Sequence, residues 1–546
     1  MAPPSPGHAA NPSLRRQLAS LLVVRGSGHS RDGQRRYPRW ELSNGELRRL
    51  LEQGMGGVIL LGGSAEELRL RCAQLRQWAG QPLLLCADVE EGVGQRFEGA
   101  SWLVPPLALG RLHGEDPERA EGLAERYGRC TGRQARRLGL NWVLGPVCDV
   151  NNNPANPVIN VRAWGDTVPA ASALAAAFLR GCQAEGVLAC AKHFPGHGDT
   201  STDSHLELPV IPHGWERLEA VELPPFQAAI AAGVASVMTA HLQLPALDAE
   251  RPATLSEPVL TGLLRRRLGF TGLVVTDALV MEAISAEHGP AEAAELAFLA
   301  GADLILMPAD AEAALDGLER AVEAGRISPE RLQASLERRQ RALALCPAEP
   351  TPASLEALLA QLEQLVSPED RDLAAELLEL SLETHGGGPL PMGPGVNLIR
   401  LDSQLNSPQL PARAPALLRP AAAGYGARLL DGLSPSPWSG DPDAPLALER
   451  LGEGPVLLQL LVRGNPFRGS AGGDEPWPAV LRQLLAARRL AGLAVYGSPY
   501  LWQSLRPLLP PHLPAAYSPG QMPEAQALVL QRLGLAASAL EGGFTD

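Results

Sequence analysis

Between Lys192 and His205 the chain reads Lys-His-Phe-Pro-Gly-His-Gly-Asp-Thr-Ser-Thr-Asp-Ser-His, which brings a lysine, three histidines and two aspartates into one short segment. Pro195, Gly196 and Gly198 oppose a helix there, because proline lacks a backbone donor and glycine favours irregular backbone. The preceding run, Gly186 to Ala191, is apolar, so the pattern predicts a buried strand that ends in an ionisable loop. Within that loop Asp203 and His205 stand two residues apart. A carboxylate beside an imidazole fixes its tautomer and stabilises its protonated form. An imidazole near its ordinary pKa of about 6.5 gives and takes a proton near neutral pH. The pair reads as a general acid and base, with an incidental polar surface loop as the plainer alternative.

Asp277 follows the apolar run Leu273–Thr276. It reads either as a cap on the next helix or as a nucleophile, since a carboxylate can attack an anomeric carbon and form a glycosyl ester. Asp88 and Glu90 also follow an apolar run, where carboxylates can clamp sugar hydroxyls. Arg96 could pair with one of these acids and hold the loop. Arg162, in Asn-Pro-Val-Ile-Asn-Val-Arg-Ala-Trp-Gly, is a solvated charge or a donor to substrate oxygens. His193 and His197 have the four-residue spacing of helical zinc motifs, but Pro195 and Gly196 break the helix that such a motif needs, so no metal site is expected. Gly56-Gly57 and Gly62-Gly63 lack the Lys-Ser/Thr of a phosphate loop and read as turns.

Something must hold these residues together. Eight short apolar runs are strand candidates: Leu21–Val24, Gly57–Leu61, Leu83–Ala87, Asn141–Val147, Val187–Ala191, Ala235–Thr239, Leu273–Thr276 and Asp303–Met307. Helical patterns lie between them, among them Asn44–Gln53, Ala65–Trp78, Pro117–Leu138, Ala170–Glu185, Glu257–Leu268 and Glu292–Ala300. Alternation of strand and helix predicts a parallel sheet, and eight repeats predict closure into a (β/α)8 barrel, with an open doubly wound sheet as the alternative. Asp88, Asp149, Lys192, His193, His241 and Asp277 each follow a strand candidate. In a barrel all those ends share one face.

Residues 1–347 are assigned to the barrel, with residues 1–12 as a disordered tail. Residues 348–546 are assigned to a smaller α/β domain, with strand-like runs at Val456–Val462 and Leu493–Tyr496 and helical patterns at Ala479–Arg488 and Pro523–Leu533. Ser367-Pro368-Glu369-Asp370 opens a helix, while the Pro-, Ala- and Gly-rich stretch Ser407–Pro445 reads as long loops.

The net charge of −13 over 546 residues argues against nucleic acid or an anionic membrane surface as the main partner. No apolar run approaches the roughly 18–20 residues that span a bilayer. The run Leu18–Val24 after Arg15 and Arg16 is only faintly like a signal peptide, and no small-x-small cleavage pattern follows. The seven cysteines are odd in number, include no CxxC and sit largely in apolar runs, which fits buried thiols in a reducing, cytoplasmic compartment.

The chain resembles glycoside hydrolase family 3, and within it the bacterial β-N-acetylglucosaminidases. Four stretches carry the resemblance: Lys192–His205; Cys148–Gly165; Met238–His241 with Arg251–Thr254; and Thr276-Asp277-Ala278-Leu279-Val280-Met281. The resemblance covers most of residues 50–345 and implies a catalytic barrel, with the tail of the chain more loosely like the second α/β domain of some members. It implies Asp277 as the nucleophile of a retaining double displacement and His205, supported by Asp203, as acid/base. Asp88, Arg162, Lys192 and His193 would bind the sugar, and no metal or organic cofactor is implied. The implied substrate is a small saccharide, terminal β-linked N-acetylglucosamine, as on cell-wall fragments. A β-glucosidase or phosphorylase using the same intermediate is the alternative within enzymes, and a non-catalytic sugar-binding barrel the alternative outside them. Three departures stand out. Glu91, Val93 and Gly94 alter the loop after Asp88, with Glu91 in place of a glycine. Val161 stands where an aspartate commonly precedes the arginine. Gly62-Gly63-Ser64 replaces an aromatic-rich segment.

Overall fold

The computed structural model describes residues 12–202, 204, 206–347, 354–360, 362–401, 410–431, 436–463 and 475–537. The chain builds two sheets in succession. The first contains β1 (Leu22–Ser27), β2 (Gly57–Leu61), β3 (Leu84–Ala87), β4 (Trp142–Val143), β5 (Leu188–Phe194), β6 (Ser236–Thr239), β7 (Leu273–Val275) and β8 (Ile305–Leu306). Neighbours pair in parallel in the order β7-β6-β5-β4-β3-β2-β1-β8. The ring is completed by a parallel bridge between Val275 and Leu304, where the Asp303 and Leu304 amides both donate to Val274 O. The barrel reading therefore holds over the open sheet. Its strands are buried along almost their whole length, as expected for parallel strands covered by helices, and this burial is why they read as apolar runs.

Four local expectations change. Residues 1–11 of the expected tail lie outside the described residues, but Pro12 begins a helix, Pro12–Ala19. Arg15 on it donates to Glu312, Asp316 and Glu319, each at 2.8 Å, which pins that helix to Ala311–Glu323. β4 is shorter than Asn141–Val147, because Pro146 has no N–H to give and the ladder resumes only as a bridge from Val147 to Lys192. β5 is longer than predicted: Lys192, His193 and Phe194 belong to the strand, not to the loop after it. The nearest helix after Asp277 begins at Glu282 and carries Met281 at its N-cap, so Asp277 caps no helix.

The second sheet contains β9 (Glu383–His385), β10 (Gly395–Leu401), β11 (Tyr425–Leu430), β12 (Val456–Val462), β13 (Leu490–Gly497) and β14 (Ala515–Ser518). Its order is β11-β10-β12-β13-β14-β9, parallel except for β9, with an apolar core on each face. Ser407–Pro445 is not all loop: within its described part lie the helix Pro415–Ala422 and β11. The helix opened by Ser367 forms as expected, with a reciprocal Ser367–Asp370 capping box.

Candidate active site

The C-terminal ends of β3, β4 and β5 carry an array of charges that are largely shielded from water. Lys192 Nζ lies 2.7 Å from Asp88 Oδ1 and 2.6 Å from Glu90 Oε1. Glu90 also takes a bidentate pair from Arg162, Nε to Oε2 at 2.7 Å and Nη2 to Oε1 at 2.8 Å. Arg162 Nη1 donates to Val158 O, and its Nη2 faces His193 Nε2 at 3.5 Å. His193 Nδ1 donates to Asp149 Oδ2 at 2.8 Å, while Asp149 Oδ1 accepts the backbone N–H groups of His193 and His197. Ion pairs this deep persist only when each charge is matched and hydrogen bonded. Burial alone would raise the Glu90 carboxyl, but Arg162 and Lys192 overcome it and hold Glu90 well below the ordinary carboxylate range. Burial alone would lower Lys192, but Asp88 and Glu90 push it up to about 12. Glu90 and Lys192 are therefore charged throughout the working range of most enzymes.

The strand geometry explains how Lys192 and His193 reach this site. The β5–β6 register jumps between Ala191 and Phe194, so Lys192 and His193 lie in an irregularity while Phe194 pairs again with Thr239. Bulges of this kind re-aim side chains beside active sites.

Asp277 stands on the same face after β7. Its N–H donates to Thr239 Oγ1 on β6, and its Oδ1 accepts the N–H of Ala278 at 2.7 Å. Cys190 is a fully buried thiol on β5. Burial first, then the fields of Asp88 and Asp277, push its thiol up to about 12 against the opposing effects of Ser236 and Lys192. Asp88, Lys192, His193 and Arg162 thus come together as a contact network, and Asp277 follows β7 at the same end of the barrel. Asp203 and His205 lie outside the described residues.

The loop that bears them is anchored on both sides. His197 Nδ1 lies 2.9 Å from Thr200 Oγ1 and its Nε2 3.1 Å from Ser204 Oγ, and burial lowers its pKa to about 4. Asn156 donates to the carbonyls of His197 and Gly198, and Asp199 takes His213 at 2.8 Å and Arg217 at 3.3 Å. His193 and His197 therefore face separate partners. Among the described residues, no group of three or more His, Cys, Asp or Glu side chains could hold a metal ion.

The three departures have structural explanations. Glu91 is buried, accepts Trp102 Nε1 at 2.9 Å and meets Arg463 of the second sheet's unit at 2.5 Å. The turn's conformational demand falls one residue later, on Gly92 with φ +78°, so a side chain at 91 is tolerated. Val161 is buried, and Arg162 is already held by Glu90 and Val158. Gly62 and Gly63 both have positive φ and lead into Ser64, which caps the helix Ala65–Ala79. Arg96 donates to Asp88 O and so holds the loop.

Asp149 and Glu90 are more central than the sequence suggested. Both follow a strand candidate, and that position was the available signal. Arg463 and Tyr500, whose hydroxyl accepts Asn151 Nδ2 at 2.6 Å, carried no signal because they belong to the other sheet's unit.

The sequence and fold are similar to those of known proteins. The model of the glycosyl hydrolase family 3 N terminal domain matches residues 13–342, and that of the bacterial glycosyl hydrolase family 3 C-terminal domain matches residues 392–534. Beta-hexosaminidase A of Pseudoalteromonas piscicida is 33% identical over 389 residues, which is 65% of this chain and 64% of that protein. A beta-N-acetylglucosaminidase/beta-glucosidase of Cellulomonas fimi is 33% identical over 294 residues, 52% of this chain and 51% of that protein. The chain thus spans less than two thirds of the length of either relative. The structure of a glycoside hydrolase family 3 beta-N-acetylglucosaminidase from Paenibacillus sp. str. FPU-7 superposes with a TM-score of 0.74 at 30% identity, over 96% of this chain and 97% of that one. With the family model matched across the whole barrel, the chain belongs to glycosyl hydrolase family 3.

Proposed function

We propose that the chain is a retaining exo-β-N-acetylglucosaminidase that removes terminal β-linked N-acetylglucosamine from cell-wall fragments of the muropeptide type. The observation that carries this reading is the array Asp88–Lys192–Glu90–Arg162 at the end of the barrel where Asp277 also follows its strand. Lys192, Arg162 and His193 would present donors to sugar oxygens, and Asp88 would accept from hydroxyls. Asp277 would attack the anomeric carbon while His205, supported by Asp203, protonates the departing glycosidic oxygen. Water would then attack the glycosyl ester, give its proton to His205 and free Asp277. The fixed charges of the array would supply oriented donors without reorganisation during the reaction. Free thiols at all seven cysteines support a reducing compartment, hence the cytoplasm.

Initial rates on matched p-nitrophenyl β-N-acetylglucosaminide and β-glucoside test the reading. The N-acetyl sugar is expected to be preferred, and Asp277→Ala to lose about 10⁴-fold or more in kcat, the scale on which removing a catalytic group is felt. The Cellulomonas fimi relative's name includes a glucosidase activity, and equal rates on both sugars would favour that broader specificity. Release of the sugar 1-phosphate in phosphate buffer would assign a phosphorylase. Tight sugar binding without turnover would assign a binding protein.

A further inference from the structure

Beneath Asp277 lies a chain of buried polar groups that runs from Thr239 through Thr254 to His241. The Asp277 N–H donates to Thr239 Oγ1 at 3.3 Å, and Thr239 Oγ1 lies 2.7 Å from Thr254 Oγ1. Thr254 has one hydroxyl proton for its two further partners, Ala240 O and His241 Nδ1, so the proton between the two threonines comes from Thr239. Thr254 Oγ1 lies 2.8 Å from His241 Nδ1 and 2.9 Å from Ala240 O, and His241 Nε2 lies 3.0 Å from Ala278 O. A carbonyl oxygen only accepts, so His241 Nε2 carries a proton and donates it. Thr239, His241 and Thr254 are all fully buried.

Both ends of this chain meet the two residues that define the nucleophile's backbone: the N–H of Asp277 and the carbonyl of Ala278. The N–H of Ala278, in turn, is the donor on Asp277 Oδ1. A shift of the Asp277–Ala278 backbone that moved the carboxylate would strain or break one of these bonds, whose inner partners Thr239, His241 and Thr254 are fully buried. Thr254 comes from the turn Ala253–Leu255, which lies beyond the end of β6. A cavity filler at that place would need no hydroxyl.

We infer that His241 and Thr254 are positioning residues that fix the Asp277 carboxylate for attack by bracketing its peptide units through Thr239 and Ala278. The inference rests on the reading of Asp277 as the nucleophile. It assigns a role to the Met238–His241 and Arg251–Thr254 segments, which the sugar-binding array leaves without one.

Thr254→Val keeps the shape and removes the hydroxyl, Thr254→Ser keeps the hydroxyl, and His241→Gln keeps a donor at reduced precision. Thr254→Val is expected to lower kcat on the aryl N-acetylglucosaminide by about 10²-fold, the cost of a small misplacement of reacting groups, with KM changed little. Thr254→Ser should restore most of the rate, and His241→Gln should fall between. Labelling of Asp277 by a 5-fluoro N-acetylglucosaminyl fluoride should slow in the same order, with the label still on Asp277. Wild-type kcat and labelling rate in folded Thr254→Val would overturn the positioning role. So would equal losses in the Val and Ser variants, which would mark simple structural support. Asp277→Gly run alongside separates the two readings: if it retains wild-type turnover, the nucleophile assignment itself fails.

Discussion

At the scale of single residues, this site is defined by what its charges would cost if left alone. Glu90 carries both Arg162 and Lys192, so its neutral isostere should be felt on stability as well as on binding. Glu90→Gln leaves two buried cations short of one negative charge and is expected to cost about 3–5 kcal/mol, the usual penalty for breaking a buried ion pair from one side. Thermal unfolding beside Michaelis kinetics checks this, and an unchanged melting temperature would mean that water reaches the array. His197 makes a separate prediction about pH. Its folded pKa of about 4 lies below its ordinary 6.5, so the unfolded chain takes up the proton first as pH falls. Its contribution is therefore complete above about pH 6.5 and declines toward pH 4, by on the order of 3 kcal/mol. Glu90 acts lower on the scale: its depressed pKa gives stability that is present above about 4.5 and lost only as pH falls further. Melting temperatures of wild type and His197→Gln between pH 7 and pH 4.5 should converge as the pH drops. Parallel curves would remove His197 as the sensor.

At the scale of elements, the site rests on helices that pack close behind β4 and β5. The helices Pro117–Arg137 and Val168–Ala184 touch through glycine: a Cβ on Gly181 would sit 2.0 Å from Glu125 O, and one on Gly128 2.0 Å from Phe178 O. Gly181→Ala must push the pair apart and is expected to cost about 1–3 kcal/mol, as overpacking does. Gly122, on the same first helix, faces open space, so Gly122→Ala should instead stabilise by about 0.5–1 kcal/mol. Opposite shifts in melting temperature would confirm the close approach. Elements of this barrel were legible because buried parallel strands are continuous apolar runs bounded by turns; β2 and the helix Asn44–Gln53 match their predicted limits. What escaped was local. The bulge that draws Lys192 and His193 into β5 depends on register with β6, which no run of residues encodes. β11, Tyr-Gly-Ala-Arg-Leu-Leu, is an edge strand with an exposed middle, and β9 is three polar residues that pair only because β14 lies beside them. Among the site residues, those at strand ends were readable from position, whereas the partners of Glu91 and Asn151 are set by how the two sheets meet.

At the scale of the whole molecule, the two sheets meet through the face that carries the charged array. Arg463, just past the end of β12, reaches Glu91, and Tyr500, just past β13, takes Asn151. Farther out, Asp370 pairs with Arg133 and accepts Gln134 at 3.1 Å, and Met522 and Ala525 pack into the barrel's own apolar core. A separate, dispensable second domain would not share buried charges and core in this way. A chain ending at Pro347 is therefore expected to fold poorly or melt far below the full chain, because Glu91 would lose its cation, Gln134 and Arg133 would lose Asp370, and apolar surface would open. Arg463→Ala isolates the first of these effects. It should lower stability by about 3 kcal/mol, the cost of an uncompensated buried carboxylate, and weaken catalysis through the loop that carries Asp88 and Glu90. Adding Glu91→Gly to Arg463→Ala removes the orphaned charge and should recover much of the stability, since Gly92 already meets the turn's backbone requirement. If the double variant is no more stable than Arg463→Ala, the pair does not join the sheets. If the chain ending at Pro347 matches the full chain in melting temperature and kcat/KM, the barrel stands alone.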